Sequence, residues 1–91
     1  MVFKTVKGCR RSGAEQRYIW ALLEIWNALP AVRREEIRAL IGQLAETPAE
    51  GRALFDVVVR HISPRAVNSR TGVSLPRLYE LRRQFYDRVR L

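Results

Sequence analysis

Seven residues from Ser74 to Gln84 stand out as a candidate recognition set: Ser74, Arg77, Tyr79, Glu80, Arg83 and Gln84 with polar side chains, and Pro76 among them on the same stretch. Their chemistry is recognition, not bond making. A guanidinium donates in a planar fork that suits both guanine edges and phosphate, and a serine hydroxyl or a helix-start amide suits phosphate oxygens. At about 100° per residue, Leu75, Leu78, Leu81, Phe85 and Val89 gather on one side of a helix, with Tyr79 and Tyr86 flanking them. Pro76, Arg77, Glu80, Arg83, Gln84 and Asp87 fall on the other side. A helix packed through the first set presents the second outward, and Arg65 and Arg70, just upstream, would lie near a nucleic-acid backbone.

Catalytic groups are not arranged in this way anywhere in the sequence. No nucleophile has a neighbouring base, no glycine-rich phosphate loop is present, and His61 has no cysteine or acid spaced to orient it. With one cysteine, Cys9, and one histidine, neither an internal disulfide nor a zinc finger can form. The sequence therefore predicts a protein that is not an enzyme and uses no cofactor or metal.

Charge distribution points to a polyanion. The formal net charge is +8, and its placement is uneven. Residues 1 to 11 hold Lys4, Lys7, Arg10 and Arg11 with no acid, residues 12 to 60 are close to neutral, and residues 61 to 91 set seven arginines against two acids. Basic ends around a neutral middle suit particular surfaces to phosphates, whose neutralisation releases counterions.

The elements that must position these groups are marked by caps. Ser12-Gly-Ala-Glu15 and Thr47-Pro-Ala-Glu50 have the S/T-x-x-E capping box, and the second adds Pro48 at the first helical position. Ser63-Pro64 repeats the cap-then-proline signal, and Ser74 caps a last helix with Pro76 in its first turn. The spacing predicts helices over 13–29, 31–45, 48–62 and 64–70, and a fifth from Leu75 almost to the end, with no sheet. Val57-Val58-Val59 has strand propensity but lies inside a helical pattern. Residues 1–12 read as a basic arm, with a brief extended piece at Val2 to Val6 and a minor-groove or phosphate role for Lys4, Lys7, Arg10 and Arg11.

Between the last two helices, Gly72 can take the positive φ needed for a sharp turn, Val73 points inward, and Ser74 restarts the chain as helix. Val67, Val73, Leu78 and Leu81 fall where a helix-turn-helix needs apolar contacts. The predicted fold class is all-α, about five helices, with a C-terminal helix-turn-helix packed on a small helical bundle behind a basic N-terminal arm. It forms one domain, 1–91, with residues 13–45 as a two-helix oligomerisation part and 46–91 as the helix-turn-helix part.

Residues 29 to 91 resemble the C-terminal part of phage-encoded ArpU/RinA-type transcription regulators, whose helix-turn-helix is similar to region 4 of sigma factors. The resembling pieces are the helix with Ile37, Leu40, Ile41 and Leu44, then Thr47-Pro-Ala-Glu-Gly-Arg-Ala-Leu-Phe55, Arg60-His61-Ile62, Gly72-Val-Ser74 and Leu78-Tyr79-Glu-Leu-Arg82. Two places depart from that pattern. His61-Ile62 passes directly into Ser63-Pro64, and Asn68 stands where alanine is usual, setting a polar side chain at the helix crossing. The resemblance implies transcriptional control of phage or prophage genes.

The first helix is apolar on more than one face, with Tyr18, Ile19, Trp20, Leu22, Leu23, Ile25, Trp26 and Leu29. A core this small has little to cover two tryptophans, so the sequence predicts self-association or docking on a larger protein, with a homodimer through Trp20, Leu23 and Trp26 as the first expectation. No apolar run reaches bilayer length and no signal peptide follows the basic start, which predicts a cytoplasmic protein without a membrane partner. Double-stranded DNA is the predicted partner. The rival from another class is a factor that binds RNA polymerase as antiterminator or inhibitor, and a third is the DNA-recognition small subunit of a packaging machine.

Overall fold

A computed structural model describes residues 3–90. The chain runs α1 (Gly13–Glu24), a 3-10 turn (Trp26–Ala28), α2 (Ala31–Leu44), α3 (Pro48–Val58), α4 (Pro64–Thr71) and α5 (Leu75–Arg88), with no strand among the described residues. Four of the five helices start on a side-chain cap. Ser12 Oγ accepts from the Glu15 amide at 3.1 Å and Glu15 Oε1 from the Ser12 amide at 3.0 Å, a complete capping box. Thr47, Ser63 and Ser74 accept from the amides of Glu50, Ala66 and Arg77. The expected second box is only half formed. Glu50 Oε1 accepts instead from the Glu46 amide, one residue before the cap, because its carboxylate is held by Arg77.

Two helices are shorter than their patterns predict. The first ends at Glu24, not Leu29: Ile25 leaves the α conformation at φ −98°, ψ 35°, and Pro30, which has no N–H to extend the ladder, holds Leu29 extended, φ −70°, ψ 145°. The chain bridges the gap with the 3-10 turn, and Arg34 Nη1 donates to the freed carbonyls of Leu29 (2.9 Å) and Asn27 (3.4 Å). The third helix stops at Val58, and His61 turns the chain with a left-handed φ of 54°. Its β-branched run, Val57 to Val59, weakens the last turn, and Ser63 must be extended ahead of Pro64.

α5 lies at the centre, packed against α2, α3 and α4, while α3 also touches α2 and α4. Leu78, Leu81 and Phe85 on its apolar face are fully buried together with Leu54, Ala53 and Val67. α1 forms an outer layer, inserting Ile19 and Leu23 into the same core.

The basic N-terminal segment is a strap docked on the helices. Val6 is buried, its amide donates to Gln16 Oε1 at 2.7 Å, and Gln16 Nε2 returns a bond to the Arg11 carbonyl. Gly8 takes a φ of +78° where the strap crosses α5, and the Arg10 amide donates to Asp87 Oδ1 at 2.8 Å. Val2 of the expected extended piece lies outside the described residues.

The residues singled out for self-association also sit elsewhere than predicted. Leu23 is 1% exposed, because its position on α1 faces the core. Trp20 stacks on the His61 ring at 4.3 Å and 3°, and Trp26 meets Phe55 edge-on at 5.3 Å beneath the Arg38 guanidinium. Both indoles are half-buried against side chains of the same chain.

Candidate nucleic-acid interface

The turn between α4 and α5 is built by side chains on both sides of Gly72. Thr71 Oγ1 donates to the Val67 carbonyl at 2.8 Å and accepts from the Val73 amide, while Gly72 takes φ 76°, ψ −1°, the left-handed conformation expected of it. Asn68, the polar residue at the crossing, donates through Nδ2 to the Val73 carbonyl at 2.7 Å. It ties the turn together, satisfying a carbonyl that neither helix could reach. Val67 and Leu78 close the crossing from below, both fully buried, with Val73 half-buried beside them.

This turn brings α4 and the first half of α5 to one side of a helix-turn-helix. Arg65 and Arg70 are exposed on α4, an eight-residue helix with no acid, and no carboxylate lies within ion-pair distance of either among the described residues. Ser74, the N-cap of α5, is exposed, as are Pro76, Tyr79 and Glu80 on the helix, with Tyr79 at 44%. Arg82, which the helical wheel left out of the site, lays its guanidinium over the Tyr79 ring at 5.2 Å, and its Nε is enclosed without a partner. An arginine three residues after a tyrosine on one helix is the signal that would have found it.

Two arginines predicted to face a ligand are engaged by the protein. Arg77 is 22% exposed and donates from Nε and Nη2 to both oxygens of Glu50 at 3.0 Å, and from Nη1 to Glu80 at 3.1 Å. Its guanidinium holds the Glu50 carboxyl below the usual carboxylate range, and Glu50 in turn raises Arg77. Arg83 is paired with Asp87 at 3.1 Å. Burial pushes the Asp87 carboxyl up, but the Arg10 amide, the Cys9 thiol and the charges of Arg10 and Arg83 together hold it below its ordinary value.

The strap packs on the second half of α5. Gly8, Arg10, Arg83, Gln84, Asp87 and Arg88 line a shallow cleft of ≈ 380 Å³. Its arginines outnumber the single carboxylate, whose side chain is 7% exposed. Lys4 and Lys7 are exposed nearby in the chain, whereas Arg11 is half-buried, with one guanidinium nitrogen enclosed. The candidate groups are therefore α4 cations without an ion pair among the described residues, an aromatic and capped helix start on α5, and a basic strap along the second half of α5. Such a set can bind phosphate oxygens and present a helix face to a groove.

No protein family, curated protein or solved structure matches the chain. Its class is defined by its own geometry, a small all-α domain ending in a helix-turn-helix. No helix among the described residues is long and apolar enough to cross a membrane.

Proposed function

We propose that the protein is a sequence-specific double-stranded DNA-binding protein that regulates transcription in a phage or prophage. The observation that carries the reading is Arg65 and Arg70, solvent-exposed and unneutralised on the helix that precedes α5. The turn at Gly72 sets the capped start of α5 beside them, where Ser74, Pro76, Tyr79 and Glu80 are open to a groove. Arg65, Arg70 and Arg82 meet phosphates or base edges, and Lys4, Lys7 and Arg10 on the strap add backbone contacts beyond the end of α5. Arg77 serves a different role from the one its wheel position suggested: it fixes the start of α5 against α3 and orients Glu80. The transcriptional role rests on the resemblance to ArpU/RinA-type regulators read in the sequence of residues 29–91.

Selection from random duplexes at about 0.15 M salt tests this, because non-specific binding is weak there and preference shows. The reading expects one enriched motif. A pool that remains random, with the protein recovered on RNA polymerase instead, would replace it with the polymerase-binding alternative.

A further inference from the structure

Ala14, Tyr18 and Ala21 on α1 and Ile25, the residue that caps its C-terminal end, are all exposed, Tyr18 and Ile25 at 54% each, and they recur at spacings of four, three and four. That is the d-a-d-a pattern of a coiled-coil seam. It points directly away from the core, since the buried residues Gln16, Ile19 and Leu23 occupy the opposite side of the same helix. From the geometry we infer that this face is the interface between two copies of the chain, which pack α1 against α1 in antiparallel orientation about a twofold axis.

Shape and charge select both the partner and the direction. In an antiparallel pair each a position faces a d position of the other helix, so Tyr18 meets Ala21 of the partner subunit and Ile25 meets Ala14 of the partner subunit. Every large side chain is then opposite an alanine, which lets the two backbones approach closely. Arg17 and Glu24 are both exposed and both hold the g position of the seam. The same register places Arg17 beside Glu24 of the partner subunit, twice across the twofold, as a self-complementary interface requires. A parallel pair would set Arg17 against Leu22 of the partner subunit and leave both charges without a mate. Arg17 is otherwise held only by the Phe3 ring, 5.8 Å from its guanidinium, and Glu24 has no ion pair among the described residues.

Sedimentation equilibrium without DNA, at concentrations up to about 0.5 mM, reads this independently of any nucleic-acid binding. The wild type should approach twice the 10.6 kDa chain mass. Ile25→Glu should remain monomeric with an unchanged helical spectrum. Arg17→Glu and Glu24→Arg should each weaken association by about tenfold, and the Arg17→Glu/Glu24→Arg double variant should restore it. A monomer throughout the range would overturn the interface. Association insensitive to the single charge reversals, or not rescued by the double one, would overturn the antiparallel arrangement.

Discussion

Arg77 on α5 and Glu50 on α3 are joined by two parallel hydrogen bonds, Nε to Oε2 and Nη2 to Oε1, both 3.0 Å long. The pair links the first turns of two helices that are 27 residues apart in the chain, and both side chains are largely covered, at 22% and 16% exposure. A bidentate arginine–carboxylate contact shielded in this way is stronger than a surface ion pair. It fixes where α5 begins relative to the body of the protein.

Arg77→Ala should therefore destabilise the fold, in contrast to the neutral effect expected of an outward-facing arginine. The double-mutant cycle with Glu50→Ala should give a coupling of about 1–2 kcal/mol in urea unfolding. A coupling indistinguishable from zero would show that the contact does not hold in solution.

The contrast shows what the sequence could and could not say. Caps and prolines located the start of every helix but α2 by chemistry local to each site, and Gly72 took the left-handed turn its position demanded. The wheel sorted α5 correctly into buried Leu78, Leu81 and Phe85 and an outer polar face. It could not show that Glu50 would reach Arg77, or that the strap would cover Asp87 and Arg83, because those partners are set by tertiary approach. Nor could it show what the tryptophans touch within the chain, since His61, Phe55 and Arg38 are distant from them in sequence.

Gly72→Ala should cost about 1 kcal/mol of stability, through backbone conformation alone, since nothing lies within 4 Å of the Cβ it would add. Gly72→Asn should cost less, because asparagine tolerates the left-handed region. Equal unfolding midpoints for the wild type and the alanine variant would contradict the turn geometry.

His61 is the single histidine, and burial against Trp20 lowers its pKa, with Glu24 opposing the shift. A depressed value means that the folded state favours the neutral ring. Its contribution is complete above the ordinary value of 6.5 and is lost as pH falls through the lower folded value. The thermal midpoint should drop between about pH 7.5 and 5.5, and His61→Asn, which keeps a residue tolerant of positive φ, should flatten that drop. Parallel curves for the two proteins would show that His61 does not titrate differently on folding.

Asp87 anchors the strap by accepting from the Arg10 amide at 2.8 Å and from Arg83 Nη1 at 3.1 Å. Asp87→Asn removes the charge that strengthens both bonds, so hydrogen exchange at the Arg10 amide should accelerate about tenfold while amides in the middle of α5 keep their protection. Unchanged exchange at Arg10 would mean that apolar burial of Val6 holds the strap without Asp87.

The central claim is that the exposed arginines of α4 meet DNA phosphates. Its most direct measurement is the salt dependence of duplex affinity by fluorescence anisotropy, comparing the wild type with Arg65→Ala/Arg70→Ala. Neither side chain has an ion pair in the described structure, so fold stability should be retained. Two lost phosphate contacts should make the slope of log K against log salt shallower by about 1.8. A variant that binds with the wild-type affinity and the wild-type slope would contradict the account.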